Sequence, residues 1–273
     1  MRIEAVDRMA SSQAKSASLQ RIAFLHQSPT PCDRQANIRS IAAAIGKAAD
    51  HGARWVLTPE LATTGYTFAI EYGTDWIGIE HDAAIEAIVA KVAETDVTLF
   101  LGMPERDPTT GALYNTLRVI DRHHGSICTH RKINALRVGS EAWSSTGSIA
   151  TVADLPDFGP VGLLICADAC ATRIGEVFRR RGVRAIVSAS NWAVGEWGPA
   201  GEWERLSRQA DIPVFNCNRT GQDAALSFET AESVIASGGT RVMSVASADP
   251  IIIFADWDFA AGQLIGWFSR RLR

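Results

Sequence analysis

Short apolar runs recur along this chain, and none is longer than a strand. "RIAFLHQ" (21–27), "RWVLTPE" (54–60), "VTLFLGM" (97–103), "VGLLICAD" (161–168), "RAIVSAS" (184–190), "IPVFNCN" (212–218) and "PIIIFADWD" (250–258) are all too short for buried helices. Stretches of helical spacing separate several of them. Asp33 can cap a helix whose apolar face is Ile38, Ile41, Ile45 and Ala49, with Gly52 as its stop. A second helix follows Asp82, with Ile85, Ile88, Val89 and Val92 on one face. Thr172–Arg181, closed by Gly182, and "GEWERLSRQAD" (201–211) read as two more. Elsewhere the pattern is hairpins: 113–121 and 126–132 flank His123-His124-Gly125, and Gly238-Gly239 divides 233–247. Strands that alternate with helices and then with hairpins predict an α/β chain with mixed sheets.

The 273 residues, 47% hydrophobic and 21% charged, suffice for one large core. A net charge of −3 gives no electrostatic footprint for nucleic acid, and no apolar run approaches a membrane span. The N-terminal stretch lacks the apolar segment of a secretory signal, so the expected location is the cytoplasm. Residues 1–20 are expected as a polar tail, 21–258 as one domain and 259–273 as a C-terminal tail, a candidate for a subunit interface. The five cysteines are 32, 128, 166, 170 and 217, an odd number that suits reduced thiols. Cys166 and Cys170 have no histidine pair nearby to complete a metal site, so no metal is expected.

Three polar residues share a setting. Glu60, Lys132 and Cys166 each fall at the end of an expected strand, where open α/β sheets build sites. Singly, each has an ordinary reading: a surface carboxylate, a surface lysine, a small core residue. All six histidines precede Cys166, so a cysteine-then-histidine order is impossible and a nucleophilic Cys166 needs another base.

Taken together, the blocks resemble the nitrilase superfamily of carbon–nitrogen hydrolases, from about Arg21 to about Asp258. The "PE" of Glu60, the "GY" of Gly65-Tyr66, the "HRK" ending at Lys132 and "VGLLICAD" around Cys166 stand in that family's order. "SNW" (190–192) and "NRTG" (218–221) fall where it carries similar short blocks. The resemblance implies a four-layer αββα sandwich of two mixed β-sheets flanked by helices. It also implies a homodimer or higher homo-oligomer and no cofactor. The implied roles are Glu60 as base, Lys132 as cation, Cys166 as nucleophile and the Ala167 N–H as a second oxyanion donor. Glu141 is the expected second glutamate. Tyr66, Trp143, Asn191 and Trp192 are candidate pocket residues.

The implied reaction is hydrolysis of a small-molecule amide through a cysteinyl thioester. An N-carbamoyl amide hydrolase or a nitrilase on the same residues is the alternative. A catalytically silent binding relative is the alternative from another class. Cys166-Ala167-Asp168 is more similar to amidases and carbamoylases than to nitrilases, which usually show Cys-Trp-Glu. The segment "ADACATRIGE" departs from the family at Ala169–Thr172, where relatives often carry an arginine at the position of Cys170. That change bears on substrate recognition.

Overall fold

A computed structural model describes residues 19–78, 83–171 and 173–272. The expected tail up to residue 18, the helix start at Asp82 and the helix residue Thr172 lie outside the described residues. Seven strands form one sheet: β1 (Leu19–His26), β2 (Trp55–Leu57), β3 (Thr98–Arg106), β4 (Leu113–Asp121), β5 (Gly125–Arg131), β14 (Ile251–Asp258) and β15 (Gln263–Arg271). Their order is β15-β14-β1-β2-β3-β4-β5. The central pairs β1/β2 and β2/β3 are parallel and the outer ones antiparallel.

Six strands form the second sheet: β6 (Val152–Leu155), β7 (Gly159–Ile165), β8 (Ala185–Ala189), β9 (Val214–Cys217), β12 (Ser233–Ser237) and β13 (Thr240–Val245). Their order is β13-β12-β9-β8-β7-β6, again parallel only at the centre. A two-stranded ribbon, β10 (Gln222–Asp223) and β11 (Leu226–Ser227), stands apart.

Alternation within each strand explains the layers. In β1, Ile22 and Phe24 join Trp55, Leu57, Leu163, Ile165, Val187 and Phe215 in a core between the two sheets. Their neighbours Ala23 and Leu25 face the other way, against α1 (Arg34–Asp50) and α3 (Ala83–Ala93), where Ile38, Ile41, Ile45, Ile85, Ile88 and Val92 pack. On the far side, Leu164, Ile186 and Val214 pack against α4 (Ile174–Arg180) and α5 (Glu202–Ala210) through Ile174, Phe178, Trp203 and Leu206. The result is the αββα sandwich of two mixed sheets. Asp33 caps α1 as expected, its carboxylate accepting from the Ala36 N–H at 2.9 Å, and Gly52 follows with φ of +77°.

The ends differ from expectation. β1 begins at Leu19, two residues before Arg21 and inside the expected tail. The segment 259–273 is not a tail. It carries β15, which pairs along β14 from Gln263↔Asp258 to Arg271↔Ile251. Leu264 packs on the core between the sheets, while Phe268 stacks on Phe254 on the helix side. A register shift at Asp256/Trp257 lies between the two contacts. That switch of face breaks the alternation by which a strand is recognised. A further helix of five residues, α2 (Phe68–Tyr72), follows the Gly65-Tyr66 turn.

Candidate active site

Glu60, Lys132 and Cys166 each lie just past a strand. β2 ends three residues before Glu60, β5 one before Lys132 and β7 one before Cys166. Cys166 is therefore not the last strand residue. It opens a 3-10 turn, Cys166–Cys170, with a left-handed φ of +48°. A side chain in that conformation costs about 1–2 kcal/mol, which neighbouring contacts must offset. Leu61, directly after Glu60, is also left-handed, with φ of +49°.

Glycines let the backbones close on one another here. A Cβ on Gly102 of β3 would sit 2.2 Å from the Pro59 carbonyl and 3.0 Å from the Glu60 Cα. One on Gly147 would sit 2.2 Å from the Arg131 carbonyl, beside Lys132. Without those side chains, the loops bearing Glu60 and Lys132 lie directly on their neighbours.

The side chains meet in an almost dry centre. Glu60, Lys132 and Glu141 are each 1% exposed or less, and Cys166 is 7% exposed. The Lys132 Nζ donates to Glu60 Oε1 at 2.8 Å and also to Glu141 Oε1. Those bonds use two of its three N–H groups. Glu141 reaches the site from a 3-10 turn, Gly139–Glu141, within the stretch 133–148, and its Oε2 accepts from the Leu136 N–H at 3.0 Å. Glu60 Oε2 accepts from the Asn191 backbone N–H at 2.8 Å and keeps a lone pair for another proton.

Electrostatics follow from this geometry. Burial, offset by Lys132 and reinforced by Glu141, pushes the Glu60 carboxyl up to about 7. Burial works against the Lys132 charge, but Glu60, Cys166 and Glu141 outweigh it and hold the ammonium well above its usual range. Burial and then the Glu60 charge raise the Cys166 thiol, against the pull of Lys132. The site thus sets the Cys166 thiol and two carboxyl groups around one ammonium.

The other candidates divide. Asn191 is in direct contact with Glu60, donating from its backbone and, through Nδ2, to the Glu60 carbonyl at 2.8 Å. Tyr66 is half-buried, and its hydroxyl stands in the field of Glu60, Glu141, Cys166 and Lys132. Its backbone N–H donates to Asp223 at 2.8 Å, and Asp223 is itself paired with the buried Arg219. Trp143 packs edge-on against Phe68 at 5.1 Å, two residues from Glu141, and its buried Nε1 has no hydrogen-bond partner among the described residues. Trp192 packs against both the core between the sheets, which includes Cys166, and the outer core of the second sheet. Its ring packs edge-on against Trp203 at 5.4 Å and its Nε1 donates to the Trp197 carbonyl. Ala167 follows Cys166 in the turn, and its carbonyl accepts from Asn134 Nδ2 at 2.9 Å.

Asn115 escaped the sequence reading. It lies opposite Lys132 across the β4–β5 ladder, where its carbonyl accepts the Lys132 N–H at 2.9 Å. Its Nδ2 donates to Glu60 at 2.7 Å and Glu141 at 3.4 Å. The available signal was an asparagine inside "LYNTLRVID", a residue that strands disfavour. All five cysteines are free, and Cys170 is exposed, near Glu202 and Arg205 of α5. Among the described residues, no three His, Cys, Asp or Glu side chains gather so as to hold a metal ion.

With this geometry in place, the comparisons are decisive about kinship. The sequence model described as carbon-nitrogen hydrolase matches residues 9–265. The chain belongs to the carbon-nitrogen hydrolase family. A probable nitrilase of Schizosaccharomyces pombe is 23% identical over 235 residues, covering 82% of this chain and 83% of that protein. A nitrilase of Pyrococcus abyssi is 26% identical over 230 residues, covering 83% and 85%. Among solved structures, Nit3 of Saccharomyces cerevisiae, a branch 10 member of the nitrilase superfamily, shares the fold with a TM-score of 0.77 at 20% identity, covering 88% of this chain and 90% of that one. An amidase from Nesterenkonia sp. aligns with a TM-score of 0.76 at 21% identity, covering 89% and 93%.

Proposed function

We propose that this carbon-nitrogen hydrolase cleaves a small-molecule amide to a carboxylate and ammonia or an amine, through a thioester on Cys166. The observation that carries the reading is the direct Lys132–Glu60 contact at 2.8 Å in a site shared with the Cys166 thiol. Support also comes from a single-residue mutant of the Nesterenkonia amidase, which shows covalent addition of the acetamide moiety of fluoroacetamide at its active-site cysteine.

In the first step, Glu60 takes the thiol proton as the Cys166 sulfur bonds to the carbonyl carbon. The C=O electron pair moves to oxygen, which rests against the remaining Lys132 N–H and the Ala167 N–H. The C–N bond then breaks, and Glu60 returns the proton to the leaving nitrogen. A water attacks the thioester after losing a proton to Glu60. The C–S bond breaks, and the sulfur regains the proton from Glu60. Glu141 holds Lys132 between two carboxylates. Asn115 and Asn191 orient Glu60. Tyr66 and Trp143 border the substrate, and the oxyanion roles of Lys132 and Ala167 complete the assignment.

Metal and organic cofactors have no part in these steps. Self-association into a homodimer or higher oligomer belongs to the same proposal, as does a cytoplasmic setting. Ammonia release from a panel of amides, N-carbamoyl compounds and nitriles, with Cys166→Ala as control, tests the reading. Activity on amides that vanishes in the variant is the expected result. Activity confined to nitriles or N-carbamoyl compounds would move the assignment to that substrate class. Undiminished turnover by Cys166→Ala would overturn the thioester.

A further inference from the structure

The mechanism gives no task to the buried ionisable pair His130–Asp168. His130 and Asp168 are both fully buried, and His130 Nε2 lies 2.9 Å from Asp168 Oδ2. His130 stands two residues before Lys132, and Asp168 two residues after Cys166. The Asp168 carboxylate does more than pair with the ring. Its Oδ1 accepts from the N–H groups of Ile133 at 3.0 Å and Asn134 at 2.7 Å, the two residues after Lys132. Its Oδ2 also accepts from the Ile165 N–H at 3.0 Å, the residue before Cys166. One carboxylate thus grips both sides of the Cys166 elbow and, with His130, both sides of Lys132.

An ionised Asp168 only accepts, so His130 Nε2 carries the proton in this contact. The other ring nitrogen, Nδ1, lies 3.1 Å from Thr151 Oγ1 on the strand side of β6. Nothing in this cluster is open to a ligand, and no proton of the reaction passes through it. Its geometry does fix the relative position of the nucleophile and the cation. It also offsets the left-handed backbone at Cys166, because the Ile165 and Asn134 bonds hold the elbow from opposite ends.

We infer that His130 and Asp168 are positioning residues that set the spacing of Lys132 and Cys166. This rests on the reading of Glu60, Lys132 and Cys166 as the reacting groups. A misplacement near 1 Å at a reacting centre costs on the order of 100-fold in rate. His130→Leu removes the Nε2 donor and should lower kcat by about that factor, with KM changed less than about twofold. His130→Gln keeps an N–H donor near the Nε2 position and should recover kcat to within about tenfold of the parent. Thr151→Val frees the ring without touching Asp168 and should cost about threefold to tenfold in kcat at unchanged Tm.

A second readout separates positioning from simple packing. Glu60 faces Lys132, Glu141, Cys166 and Tyr66, and Lys132 is the member that lowers its pKa. Displacing Lys132 in His130→Leu should therefore move the acid limb of kcat/KM to higher pH, and His130→Gln should restore it. Folded His130→Leu with parental kcat would overturn the inference. So would equal losses in the Leu and Gln variants with an unmoved acid limb. If both variants fail to fold, parental kcat in Thr151→Val would overturn it. Cys166→Ala, assayed alongside, keeps the two readings apart. An active Cys166→Ala refutes the thioester, whereas an inactive one beside a fully active His130→Leu refutes only the positioning role.

Discussion

Burial where water barely reaches, opposed by the Lys132 ammonium and reinforced by Glu141, tunes Glu60. The carboxyl is pushed up to about 7. Glu60 must be ionised to accept the thiol proton, so kcat/KM should fall as pH drops below about 7 and level off above it. A pH–rate profile with no acid limb between 6 and 8 would contradict Glu60 as the base. Lys132→Ala removes an oxyanion donor and should cost about 10²–10³-fold in kcat, measured by ammonia release. Labelling provides a sharper residue-level comparison. Exposure alone favours Cys170, while the proposed chemistry favours the nearly buried Cys166. Fluoroacetamide at neutral pH should modify Cys166 first, as read by peptide mass spectrometry. Faster modification of Cys170 would argue against activation of Cys166.

At the scale of elements, the loops that carry the site are held by backbone contact. Gly102 and Gly147 place β3 and the 133–148 stretch against the peptides next to Glu60 and Lys132. A methyl group at either position meets backbone, which cannot swing aside. Gly102→Ala and Gly147→Ala should each reduce kcat by at least about tenfold, because the reacting groups shift with their loops. The Asp33 cap offers a contrast far from the site. Asp33→Ala should cost about 1 kcal/mol of stability, seen in chemical denaturation, with kcat unchanged. Glu60 and Cys166 were legible as strand-end residues because β2 and β7 are written in apolar runs, and Lys132 because β5 is one arm of a hairpin. Asn115 was not, since a lone asparagine in a strand has no partner until the ladder places Lys132 opposite it. The pair His130–Asp168 was hidden for the same reason: its members are 38 residues apart, one on β5 of the first sheet and the other in the turn after β7 of the second.

For the whole molecule, β15 is the element whose loss is most informative. It covers β14, and Phe268 stacks on Phe254 while Arg21 lies over the Phe268 ring. Truncation after Asp258 should lower Tm markedly, because it uncovers apolar surface and leaves β14 as a bare edge. Ile265 and Trp267 of β15 are exposed in the single chain. Light scattering should report a dimer or larger species, and a monomer at micromolar concentration would contradict the proposed self-association.

By itself, the local pattern of the sequence carried the α/β class and its mixed sheets, while the four layers followed only from the family resemblance. Period-two runs and helical spacings are local, and they dictate which faces must be buried whatever the partner. The same local record carried Glu60, Lys132 and Cys166, whose blocks resemble a family. Only the tertiary structure decided what those residues feel. The position of Glu60 near 7, the Asn191 N–H on its carboxyl and the hold of Asp168 and His130 on both Lys132 flanks arise from charges and backbones distant in the chain. Such contacts depend on how two sheets meet, and no spacing within one strand encodes them.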